Sequence, residues 1–141
     1  MLLVQYLKEV DGDFLIPLSQ KTDLESFASK LLTYGHAYVE TQDEKNVGLI
    51  AFYCNDARTF TASLPILSVK WMARGKGIAR KLTNTAISTC RSYGMKRFIV
   101  DTVNSAAKTL YKSLGFVVYK TEIVQGTEKE YLELKFEDRS L

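Results

Sequence analysis

A β-like run from Phe60 to Lys70, interrupted by Pro65, leads into Arg74-Gly75-Lys76-Gly77-Ile78-Ala79, and a helical pattern starts at once behind it. No other feature limits the fold so strongly. A proline cannot donate to a β-ladder, so strand pairing has to bulge or part near residue 65. The glycines let the backbone turn tightly, and successive N–H groups then point at one spot, at the positive end of the coming helix. With Arg74, Lys76, Arg80 and Lys81 beside it, such a turn is a candidate anion site. It is not a Walker A loop, because no Gly-Lys-Ser/Thr closes it. Nor is it a dinucleotide loop, since the third glycine and the following acid are missing. Taken alone, an ordinary tight strand-to-helix turn accounts for the glycines equally well.

The elements around this turn follow from periodicity. Residues 2–9 alternate loosely and predict an edge strand, with a turn at Asp11-Gly12-Asp13. Thr22-Asp23-Leu24-Glu25 reads as a capping box with Thr22 at the cap. Leu24, Phe27, Ala28, Leu31 and Leu32 then form an amphipathic stripe that Gly35 ends. His36 to Thr41 and Val47 to Cys54 predict a hairpin. Beyond the glycines, Ile78, Leu82, Ile87 and Cys90 share one helical face, and Phe98-Ile99-Val100 is a short buried strand. Asn104 caps a further helix whose stripe is Ala107, Leu110, Tyr111 and Leu114. Two strands, 116–124 and 127–136, close the chain. The order β-α-β-β-β-α-β-α-β-β means a mixed sheet flanked by helices.

Composition sets the outer bounds. A length of 141 residues predicts a single domain spanning 1–141, and 46% hydrophobic with 25% charged residues is globular rather than disordered. The longest apolar run, Val47 to Cys54, is far short of the roughly 20 residues of a membrane helix. The first residues have no basic, long apolar leader of the secretory type. Two cysteines with no metal or redox spacing and a single histidine point to no metal site and to a reducing, cytoplasmic setting. Charge is unevenly spread. From Lys70 to Lys120 eleven basic residues face one acid, Asp101, a net of +10, which leaves −7 for the rest of a chain whose total is +3. That predicts a polyanion-binding segment and an acidic remainder facing a cationic partner. No aromatic platform or nucleic-acid reader motif accompanies the basic segment, so nucleic acid is not the expected polyanion.

The loop and the later segment Asn104-x-x-Ala107-x-x-Leu110-Tyr111-x-x-x-Gly115-Phe116 together resemble the Gcn5-related N-acetyltransferase (GNAT) family, with Arg74, Gly77 and Ala79 matching its R/Q-x-x-G-x-G/A signature. The resemblance runs from about residue 47 to 118. It implies an α/β (α+β) fold: a mixed, mostly antiparallel sheet of six to seven strands, its central strands splayed, flanked by three to four helices. It also implies acetyl-CoA as co-substrate and no metal. The pyrophosphate would lie on the amides of Arg74, Gly75, Lys76, Gly77, Ile78 and Ala79. The pantetheine arm would pair with the backbone at Leu67 and Val69, and an N–H near Leu67 would face the developing oxyanion.

Within that resemblance Asn104 matches the asparagine that holds the pantetheine arm, and Tyr111 the tyrosine that protonates the departing thiolate. Many relatives carry a glutamate base on the strand before the loop, but Thr59 to Val69 contains no carboxylate. Asp56 is the nearest candidate, with Glu40 or a water relay through Ser63 or Tyr53 as alternatives. The reading is direct acetyl transfer to a primary amine of a small amine, an amino sugar or a protein. A non-catalytic CoA-binding or sensing module on the same fold is the alternative. The chain is expected to act as a monomer or as a homodimer joined through its last strands, without membrane or nucleic acid.

Overall fold

The computed structural model describes residues 2–136. Helix α1 (Leu2–Val10) and two short 3₁₀ turns precede α2 (Leu24–Tyr34). Strands β1 (His36–Gln42), β2 (Lys45–Tyr53) and β3 (Thr61–Val69) follow, then α3 (Ile78–Ser92), β4 (Arg97–Thr102), α4 (Ser105–Ser113), β5 (Val117–Val124) and β6 (Thr127–Lys135). The six strands form one sheet in the order β1-β2-β3-β4-β6-β5, in which only the β3–β4 pair is parallel. This is the mixed, mostly antiparallel sheet expected, with four α-helices.

The first segment departs from expectation: residues 2–9 are helix, not edge strand. Leu3, Val4, Tyr6, Leu7 and Val10 are all buried, a spacing that fits one helical face as well as it fits loose alternation. What decides is the partner surface. These side chains join Leu24, Ala28 and Leu31 of α2 over Leu49, Ala51 and Ile66 of the sheet. The cap of α2 also moves by one residue, from Thr22 to Asp23, whose carboxylate accepts from the Ser26 amide at 3.2 Å and the Ser26 hydroxyl at 2.8 Å. The hairpin turns have positive φ at both central residues, 50° and 64° at Asp43 and Glu44, and 49° and 76° at Gln125 and Gly126. That is the primed geometry that matches strand twist.

Pro65 shapes the middle of the sheet. Between β2 and β3 the pairing runs from Ala51↔Ile66 to Tyr53↔Ser63, so β3 carries one extra residue at Leu64-Pro65. A one-residue insertion reverses which side chains face which side. Ala62 and Leu64 lie in the core under α3 and α4, while Ile66 lies in the core under α1 and α2. Parallel pairing of β3 with β4 ends at Leu64↔Val100. Beyond that pair the two strands diverge, as the proline predicts.

The charge segregation seen along the sequence closes up in space. Lys70 pairs with Glu9, Lys81 with Glu40 at 2.9 Å, Arg97 with Glu133 at 2.6 Å, and Lys112 with Glu130 at 3.1 Å. Four acids from outside the basic segment thus neutralise part of it. The helical reading of the first segment has a direct check. Leu7 is fully buried, so Leu7→Ala lowers stability in urea unfolding by about 2–5 kcal/mol. A residue on a peripheral edge strand would cost less than about 0.5 kcal/mol.

Candidate active site

Where β3 and β4 part, a cleft of about 830 Å³ opens, lined by both strands, by the glycine loop and by α4. The Lys70 amide donates to Val47 O at 2.8 Å, toward β2. Alternation along the strand therefore turns the backbone groups of Leu67 and Val69 the other way, into the gap. Both residues line the cleft, beyond the last β3–β4 pair. The Val69 carbonyl is already engaged, accepting from Arg74 Nε at 2.9 Å.

The loop ends in a helix terminus with no side-chain cap. Gly77 is the cap residue of α3 at φ 80°, Gly75 stands at φ 81°, and no side chain accepts from the first amides of the helix. The contrast with α2 and α4, each capped by a carboxylate or amide oxygen, is informative. Free amides at a helix N-terminus with its positive dipole are a place for an anion. A Cβ built on Gly75 or Gly77 would meet nothing within 4 Å, so the space over the loop is open. Arg74, Gly75, Gly77, Ile78 and Ala79 line the cleft with Arg80, whereas Lys76 does not. Arg80 also ties the two helices together, donating to Ser113 Oγ at 2.9 Å.

Asn104 divides its side chain between two tasks. Its Oδ1 accepts from the Ala107 amide at 2.9 Å and so caps α4. Its Nδ2 group remains available as a donor at the cleft wall, where Asn104 lies. Tyr111 is 2% exposed, packs against Phe116 at 5.4 Å between ring centroids, and lines the same cleft. Burial pushes its phenol far above the ordinary value and the charge of Asp101 pushes it further, so the hydroxyl holds its proton at any working pH.

Asp56 is not brought to this place. Its carboxylate accepts from the Arg58 and Thr59 amides, at 2.9 and 3.1 Å, and from the Thr59 hydroxyl at 2.6 Å, closing its own turn. Those hydrogen bonds hold its carboxyl below the usual carboxylate range. Asp56 lines a separate cavity of about 610 Å³ at the far end of β3, together with Ser63 and Tyr53. Glu40 is taken by Lys81. The carboxylates that do line the main cleft are Asp13, between α1 and α2, and Asp101, on β4 just past the parting. The sequence had marked Asp101 as the lone acid of its basic stretch. What it did not show was Lys129, 28 positions on, pairing with it at 3.4 Å. Phe14, Leu15, Ile16, Leu18 and Val124 add an apolar surface to the lining, beside Lys21, Thr127 and Lys129.

The profile of the acetyltransferase (GNAT) domain matches residues 33–118, more than half of the chain. The chain belongs to the GNAT family. It is therefore an acyltransferase that uses acetyl-CoA, and the uncapped α3, the free Asn104 amide and the unpaired backbone of β3 suit that co-substrate. N-alpha-acetyltransferase 30 of Schizosaccharomyces pombe is 26% identical over 126 residues, covering 82% of this chain and 81% of that protein. Among solved structures, the NatC complex bound to Gag peptide and CoA aligns with TM-score 0.78 at 21% identity, over 96% of this chain and 91% of that one. The ribosomal-protein-S18-alanine N-acetyltransferase of Escherichia coli aligns with TM-score 0.71 at 19% identity, over 90% and 84%.

Two measurements check the placement of these groups. Acetyl-CoA at 100 times its dissociation constant should stabilise the protein by about 2.7 kcal/mol in thermal unfolding. In Gly77→Ala that gain falls by more than half, on top of about 1–2 kcal/mol lost to left-handed strain without ligand. An undiminished gain would remove the loop from the binding site. Asp56→Ala should lower the melting temperature near neutral pH but keep acetyl transfer within about twofold. Because the folded-state pKa of Asp56 is depressed, its stabilisation is present above the unfolded value and fades as pH falls through the folded one. The variant and the parent should therefore converge in strong acid.

Proposed function

We propose that this chain, as one acetyltransferase domain over residues 1–141, moves the acetyl group of acetyl-CoA directly onto the α-amino group of a polypeptide. The observation that carries the reading is the meeting of three groups in one cleft: the uncapped start of α3, the backbone of β3 turned into the gap, and the protonated Tyr111. The amides from Arg74 to Ala79 would bind the pyrophosphate, with Lys76 contributing only its backbone. Leu67, Val69 and the Asn104 Nδ2 would hold the pantetheine arm. Bound acetyl-CoA supplies the activated thioester carbonyl. The neutral amine forms the new C–N bond as the C–S bond breaks, Tyr111 gives its proton to the departing sulfur, and the proton that the attacking nitrogen loses passes through water to restore the phenol.

Two considerations favour an α-amine over a lysine side chain. The relatives just described are named for N-alpha or protein-alanine acetylation. An α-amino group has a pKa of about 7.7–8.0 against about 10.4 for lysine, so at neutral pH it is neutral on the order of 10²–10³ times more often. Such an acceptor suits a strand β3 without a carboxylate base. Buried free thiols at Cys54 and Cys90 agree with a reducing cytoplasm as the setting.

Peptides that each contain one lysine, with free or blocked N-termini, test the acceptor. Acetylation of the free N-terminus alone is the expected result, and comparable acetylation of lysine in the blocked peptide would overturn it. Tyr111→Phe is expected to lower kcat about 10²-fold while leaving the dissociation constant of acetyl-CoA within about twofold.

A further inference from the structure

The carboxylate of Asp101 sits on the cleft wall just past the parting of β3 and β4, close enough to Tyr111 for its charge to bear on the phenol. Asp101 is about half exposed and its partner is a primary alkylammonium, Lys129 Nζ, at 3.4 Å. Lys129 lines the cleft as well, and while paired with Asp101 its Nζ also lies 5.0 Å from the centre of the Tyr131 ring, which Lys120 Nζ shares at 4.7 Å and whose hydroxyl donates to Glu122. The ring contact and solvent remain to the cation when it gives up the carboxylate.

We propose that Asp101 is the seat of the acceptor's ammonium group and that Lys129 is its built-in stand-in, which gives up the carboxylate and keeps its Tyr131 contact when the acceptor arrives. The proposal rests on the acetyl-transfer reading and names the group that selects a cationic primary amine for it. The geometry supports exchange in three ways. The stand-in has the same charge and the same three donors as the ligand it anticipates. The pair is solvent-accessible, so breaking it is inexpensive. The carboxylate lines the same cleft as Tyr111 and its charge bears on that phenol, so an amine held there lies in the cleft that holds the acid. Asp101 binds and selects. The proton that the ammonium must shed before attack goes to water.

Steady-state kinetics with a free-N-terminal peptide separates this role from a structural one. Asp101→Asn is expected to raise the peptide KM about tenfold or more, with kcat and the acetyl-CoA KM within about twofold. Lys129→Met removes the competitor and is expected to lower the peptide KM severalfold. Asp13→Asn, at the cleft's other carboxylate, should change it less than twofold. An unchanged peptide KM in Asp101→Asn, a loss confined to kcat, or a larger effect at Asp13 overturns the proposal. Titration of the CoA-saturated protein with the same peptide gives a readout without turnover. Binding that vanishes in Asp101→Asn supports the site even where wild-type transfer to peptides fails, and equal binding by the two proteins overturns it.

Discussion

Everything in the active cleft depends on one missing hydrogen-bond donor. Pro65 has no N–H to offer, and the strand around it accommodates that by carrying an extra residue against β2. Two effects follow from this single accommodation. Side chains on either side of the bulge serve opposite cores, so β3 anchors α3 and α4 with Leu64 and α1 with Ile66. Pairing with β4 also stops, leaving backbone N–H and C=O groups of a central strand free in the middle of a sheet. Such groups are normally satisfied, and an extended ligand is the natural partner for them.

The loop behind β3 repeats this logic. Helices α2 and α4 satisfy their first amides with Asp23 and Asn104, but α3 has glycine at that place and no substitute. Folding of the sheet and packing of Ile78, Leu82 and Cys90 hold α3 where it is, so its terminus can stay unmet until an anion arrives. Backbone groups without a strand or cap partner thus mark both halves of the proposed co-substrate site.

Much of this was legible in the sequence because it rests on local chemistry. Pro65, the glycines and the capping Asn104 act within a few residues, and the stripe that buries Tyr111 is a property of one helix. What escaped reading rests on tertiary partners. Residues 2–9 satisfy both periods over so short a window, and only the apolar face of β2 and β3 makes the helix the better choice. Asp56 is the nearest carboxylate along the chain, yet its turn engages both of its oxygens and it lines a separate cavity. Asp101 and Lys129 meet only because β6 returns to lie beside β4. Linear charge counting could not show these pairs for the same reason, since Glu9, Glu40 and Glu133 are far in sequence from the cations they meet.

The bond from Arg74 Nε to the Val69 carbonyl has a thermodynamic meaning. In the free protein the loop's arginine already occupies an acceptor that faces the gap, so a ligand amide arriving there replaces a hydrogen bond instead of creating one. Exchange of that kind contributes little enthalpy, and it releases a guanidinium beside the anion site at the moment a phosphate needs it. The strand half and the phosphate half of the cleft are thereby coupled through a single side chain. A ligand fragment that fills only one half should bind more weakly than its own contacts suggest, because the benefit of freeing Arg74 is realised only when both halves are filled.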